Sequence, residues 1–201
     1  ELPPALFVSI ARTVLGTIFT VFAASFPAYA FTRNEYWGRK FFYRFVVVTM
    51  YFSAGLIPLF LTYRTIGIYN TFWVYIIPGI VTPFNLILCK TYIESLPASL
   101  EESAEIDGAG YLVRYFRLLP LSKPILATVS VFSAVGQWNN WMDTVLYTKD
   151  KSLQTLQYVL YRYLNEANTL AEIAREDPSA MNADLATQLS PLTIKYTISI
   201  V

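Results

Sequence analysis

The chain has 201 residues, of which 55% are hydrophobic, 16% aromatic and only 14% charged. Soluble domains carry nearer a quarter charged residues, so this is the composition of a membrane protein. A formal net charge of +1 excludes a strongly basic nucleic-acid binder, and a single cysteine, Cys89, excludes an intrachain disulfide.

Taken in order, the apolar run 6–31 is long enough to span a bilayer, and Arg12 is its only charge, expected to snorkel. Ser9, Thr13, Gly16, Thr17, Thr20 and Ala24 recur along it at helical spacing, a small-residue stripe suited to close helix packing. The connection that follows carries Arg33, Arg39, Lys40 and Arg44 against one acid, Glu35, which places it on the cytoplasmic side. A second span is expected at 45–63, with irregularities at Gly55 and Pro58, and a third at 72–89, broken by Pro78-Gly79 and Pro83. Asn85 lies in the inner half of the third; an intramembrane Asn serves as interhelical glue or as a ligand contact. The fourth span is read at 125–147 and a fifth at 191–201, cut short, with both ends of the chain read as truncated. The whole of 1–201 reads as one all-α transmembrane domain.

The stretch 93–123 interrupts this hydrocarbon on the cytoplasmic side. Pro97 suits the first turn of a helix, and Ser99 with Glu102 fits a capping box, so the start is open by one turn. Glu101, Glu102 and Glu105 sit in the early turns, where the helix dipole favours anions. Gly108 is placed to end the helix in a left-handed conformation, and a second helix carrying Arg114 and Arg117 is expected to stop at Pro120. Leu96, Leu100, Ser103, Ala104 and Asp107 form a face compact enough to enter a groove on a partner.

Glu102-Ser103-Ala104, then Gly108, then Leu119-Pro120, resembles the EAA signature of permease subunits of binding-protein-dependent ABC importers. The wider runs 100–109 and 119–124, and Ala-Val-Gly-Gln-Trp-Asn-Asn-Trp at 134–141, are similar to the sugar branch, maltose-permease-like and closer to the polysaccharide-type permeases. Ser103 departs from the family alanine, and the interval from Gly108 to the Leu-Pro is one residue shorter than in the family. The resemblance implies a type I importer transmembrane domain in a bacterial cytoplasmic membrane. In it Leu100, Glu101, Glu102, Ser103, Ala104, Asp107 and Gly108 would form a coupling helix docked on an ATPase. It also implies a second, unlike permease subunit, two ATPase subunits that hold ATP and Mg, and an extracytoplasmic solute-binding protein. The chain's own sequence has no G-x-x-x-x-G-K-[ST] loop, so no cofactor is expected in it, and its balanced charge and flanking spans argue against a nucleic-acid partner.

Trp138, Asn139, Asn140, Trp141 and Asp143 supply aromatic planes and hydrogen-bonding groups, with Trp138 and Trp141 expected on one helix face. Two uses are open: contact with a sugar on the substrate path, together with Asn85, or an interfacial aromatic belt. The polar stretch 148–190 carries more acids than bases and is placed outside; its Tyr158, Tyr161 and Tyr163 suit a docking surface or a helix lying on headgroups. Two rivals use other chemistry: a membrane enzyme working with Glu101, Glu102 and Asp107, which the absence of histidine disfavours, and a channel subunit without ATP coupling.

Overall fold

The computed structural model describes residues 2–176, with side-chain surroundings as far as Thr169. Within these residues every regular element is helical. The expected fifth span at 191–201, and the end of the outer segment from 177, lie outside the described residues.

The chain divides into two compact units, Ile10–Asn139 and the pair of stretches Glu1–Ser9 and Asn140–Val201. Helix α1, Leu2–Thr32, starts in the second unit and supplies the first span of the larger one. Its pattern inverts that of a soluble helix. Arg12, Thr20 and Ser25 are 3% exposed or less, whereas Phe7 is 73%, Ile18 58% and Phe22 55% exposed. Polar groups turned inward and hydrocarbon turned outward is the arrangement a lipid solvent selects. Arg12 does not snorkel as expected; at 1% exposure it is enclosed by polar and aromatic partners described below.

Residues 45–63 fold as two helices, α2 (Arg39–Thr49) and α3 (Leu56–Thr65). Gly55 separates them at φ 80°, a left-handed conformation that hydropathy does not encode. Pro58 falls in the first turn of α3, where its missing N–H breaks no helical hydrogen bond. The next apolar stretch opens with 3-10 turns at Phe72–Tyr75 and Ile77–Gly79 and continues as α4, Pro83–Glu94, bent by 46° at the break.

Helices α5 (Ser99–Ile106) and α6 (Tyr111–Leu118) follow, and α6 ends ahead of Pro120 as expected. A 3-10 turn over Leu119–Ser122 carries the chain into α7, Lys123–Asn139, so that Tyr111–Asn139 is one 29-residue apolar run. Pro120 is placed at the start of that turn, where no donor is required of it, and Ser122 Oγ donates to the Leu118 carbonyl at 3.1 Å. Among the described residues α1 and this run are long and apolar enough to cross a membrane, and the bent 72–94 pair is a third if counted as one span.

The core of the larger unit lies where α1, α4, α6 and α7 meet, around Ala28, Tyr29, Leu86, Cys89, Tyr115 and Val129. In the smaller unit α8 (Met142–Tyr147) packs on α9 (Leu156–Glu176). Thr144 and Thr155 share a buried hydroxyl hydrogen bond of 2.9 Å, and the Leu156 amide donates to Ser9 Oγ at 2.8 Å.

Candidate functional site: a helical reversal and a buried polar centre

The reversal from α5 to α6 is built by backbone chemistry. The Pro97 carbonyl accepts from Leu100 N at 3.2 Å and the Ala98 carbonyl from Glu102 N at 3.0 Å, so the first turn starts at Pro97. Ala98 is the N-cap and no side chain caps the helix, so the Ser99–Glu102 box is not the start that forms. At the other end Gly108 adopts φ 71°. Its amide donates to Glu105 O at 2.9 Å and the Ala109 amide to Ala104 O at 3.0 Å, the paired bonds of a Schellman stop. Nothing lies within 4 Å of where a Gly108 Cβ would be, so the glycine is there for its dihedral angle and not for space.

The expected docking face is redistributed. Ala104 is buried at 6% exposure and Leu96 packs against the core, while Leu100, Ser103 and Asp107 stay exposed. Glu101 points back to α1, where Tyr29 Oη donates to its Oε1 at 3.0 Å and Arg33 pairs with its other oxygen. Glu102, Glu105 and Ile106 are exposed as well, the last at 87%. Ile106 was missed by the sequence reading; its signal is a lone large apolar residue in an acid-rich helix end.

Both bases of α6 are ion-paired within the chain. Arg114 grips Glu35 with both terminal nitrogens, at 3.1 and 3.3 Å, and lies 3.7 Å from Glu105. Arg117 reaches Asp107 at 3.4 Å across the turn. Burial lowers the Arg33 pKa from its ordinary value, with Tyr29 and Tyr111 acting in the opposite sense; the guanidinium stays charged at neutral pH.

A second polar centre, which the sequence reading also missed, lies between the spans of the larger unit. Arg12 Nε donates to Gln137 Oε1 at 2.9 Å, and its guanidinium sits 4.6 Å from the centre of the Tyr75 ring. Gly16 and Gly79 make room for Gln137, since a Cβ on either would fall 2.8 Å or 3.2 Å from its Nε2. Thr20 Oγ1 donates to the Gly79 carbonyl at 3.2 Å. The available signal was Gln137 itself, an amide midway through an apolar run.

The remaining candidates do not form one constellation. Asn85 is buried on α4, and Trp138 and Asn139 end α7. The helix breaks at Asn140, so Trp138 and Trp141 do not share a helical face as expected. Asn140, one residue before the N-cap Trp141, bonds instead to the first turn of α8: its Oδ1 accepts from the Asp143 amide at 3.3 Å and its Nδ2 donates to Asp143 Oδ2 at 2.9 Å. Trp141 stacks on Tyr161 of α9 at 3.9 Å between centroids, which commits one of its faces. Among the described residues no cluster of His, Cys, Asp and Glu is arranged to hold a metal ion.

A bent and interrupted set of apolar helices, enclosing polar side chains and joined by a charged helical reversal, defines a polytopic transport-type membrane domain. Residues 16–156 match the family described as binding-protein-dependent transport system inner membrane component, and the chain belongs to that family. It is 41% identical over 157 residues to the polygalacturonan/rhamnogalacturonan transport system permease protein YtcP of Bacillus subtilis (strain 168), covering 78% of this chain and 55% of that one. It is 41% identical over 154 residues to protein LplC of the same organism, covering 76% and 52%. A chain in the crystal structure of a bacterial ABC transporter involved in the import of the acidic polysaccharide alginate superposes with a TM-score of 0.83 at 28% identity, covering 99% of this chain and 69% of that one. The all-helical fold is that of a type I importer transmembrane domain. The chain spans about half the length of the curated relatives it matches.

Proposed function

We propose that the chain is the transmembrane permease part of an ATP-driven ABC importer for carbohydrate oligomers, residing in a bacterial cytoplasmic membrane. The observation that carries this is the α5–Gly108–α6 reversal, a short rigid helix presenting Glu102, Ser103 and Ile106 outward between apolar helices, within a chain of the importer family. An exposed isoleucine flanked by acids is a shape that a cleft on a partner can hold. In this reading two ATPase subunits supply that cleft, together with ATP and Mg, and their closure drives the spans between inward- and outward-open arrangements. A second permease subunit completes the path, and an extracytoplasmic solute-binding protein delivers the solute.

The carbohydrate assignment is supported by relatives named for polygalacturonan and rhamnogalacturonan and for galactooligosaccharides. Acid/base use of the cytoplasmic carboxylates gains nothing from the geometry, since Glu101 is committed to Tyr29 and Arg33 and Asp107 to Arg117. The test is purification of the full-length permease from its native membrane with identification of the associated chains. An ABC ATPase and a second permease are expected in stoichiometric amounts, and a preparation free of any ATPase contradicts the reading.

A further inference from the structure

The acids of α5 are not equivalent. Glu102 and Glu105 are exposed, but the Glu101 side chain is only 13% exposed and is turned toward the end of α1. Tyr29 and Arg33, one helical turn apart, hold one carboxylate oxygen each. Tyr29 is 0% exposed, and the Arg33 guanidinium lies 4.6 Å over its ring, so the three groups lock one another's rotamers. The bond joins residues 72 apart in sequence.

A second tie of opposite polarity runs beside it. Arg114 of α6 holds Glu35, just past the end of α1, with a two-pronged contact. Deeper in the same seam Ser25 and Tyr115 share a buried hydroxyl hydrogen bond of 2.8 Å. Both arms of the reversal are thus fastened to the end of the first span, not only to α4 and α7, to which the chain itself connects them.

Resting on the permease reading above, we propose that Glu101 is a positioning residue. It does not meet the ATPase but ties α5 to α1, so that displacement of the outward face of α5 is delivered to the first span as a rigid body. Glu102 and Ile106 receive the push, and Glu101 passes it inward. A carboxylate this enclosed has little free surface to offer a partner, whereas bonds from Tyr29 on α1 and from Arg33 just past its end give it the stiffness a lever needs.

The test uses the full-length permease assembled with its ATPase and second permease subunits in nanodiscs. Spin labels are placed at Trp37→Cys, just beyond α1, and Ala98→Cys, at the start of α5; Cys89, 1% exposed, stays unlabelled. Double electron–electron resonance then reads the label separation before and after trapping with ATP and vanadate. In the otherwise unaltered protein the separation should hold within about 2 Å, the scale of a packed helix shift. In Glu101→Ala and in Arg33→Ala it should start at the same value and move by about 5 Å on trapping, while ATPase subunits still copurify. The reversed pair Arg33→Glu with Glu101→Arg should restore the rigid response, which a variant that had merely misfolded would not permit. The proposal is overturned if the unaltered pair separates on trapping, if the alanine variants track it, or if Glu101→Ala releases the ATPase subunits while Arg33→Ala does not. Absence of ATPase subunits from the unaltered complex would instead overturn the permease reading.

Discussion

Replacing Gly108 isolates one physical quantity, the cost of a left-handed backbone at the end of α5. The residue sits at φ 71° with nothing within 4 Å of a built Cβ, so a substituent meets no neighbour. An L residue other than Gly costs about 1–2 kcal/mol in this region, Asn less, and a β-branched residue more. Two backbone bonds, Gly108 N to Glu105 O and Ala109 N to Ala104 O, depend on that conformation. If about 1 kcal/mol is charged to the docking-competent shape of the reversal, Gly108→Ala lowers affinity for the ATPase about fivefold, since 1.4 kcal/mol is tenfold. Gly108→Asn should fall between Gly and Ala, and Gly108→Val should lose more than Ala. Titrating labelled ATPase onto nanodisc-embedded permease reads all four. Equal affinities for the Ala and Asn variants, or a Val variant no worse than Ala, would refute the argument that the left-handed turn shapes the docking element.

Four further outcomes are expected. Arg12→Leu should destabilise the assembled permease by about 3 kcal/mol in thermal unfolding, because it strips Gln137 and Tyr75 of a buried cation, and Arg12→Lys should recover only part of that. Gly16→Ala should cost about 1–3 kcal/mol in the same assay, its Cβ falling 2.8 Å from Gln137 Nε2. Gly136→Ala on α7, with nothing within 4 Å, should be neutral or gain up to about 1 kcal/mol from helix propensity. Asp150 accepts from the Ser152 amide at 2.9 Å, which holds its carboxyl below the ordinary value. That turn is therefore fully supported above the unfolded-state pKa and released as the pH falls through the lower folded-state value. Ser152 amide shifts followed by NMR in nanodiscs should titrate over that acidic window, and the titration should vanish in Asp150→Asn.

The all-helical, membrane-embedded class was legible because long runs of hydrocarbon with few charges have no other stable solution. The stop at Gly108 was legible for a similar reason, a glycine between an acidic helix and a basic one. What could not be read depends on partners distant in sequence. Arg12 looks like a snorkelling charge until Gln137, 125 residues later, is brought beside it. Glu101 and Glu102 are indistinguishable in sequence, and only the pairing of α5 with Tyr29 and Arg33 separates them. The end of α6 ahead of Pro120 was legible, but not that a 3-10 turn over Leu119–Ser122, whose start tolerates a proline, leads directly into α7. The break of α7 at Asn139, which separates Trp138 from Trp141, goes with Asn140 bonding to Asp143 in the first turn of α8, a choice that hydropathy does not register.

Uptake is the sharpest test of the proposal that this domain moves carbohydrate by borrowing an ATPase's motion. The full-length permease, reconstituted in proteoliposomes with its second permease, ATPases and solute-binding protein, should accumulate labelled oligogalacturonides or galactooligosaccharides only with ATP inside the ATPase-facing compartment. Gly108→Val should lower that accumulation while leaving the proteins in the membrane. Accumulation of either sugar at the same rate without ATP, or unaltered uptake in the Gly108→Val variant, would contradict the account.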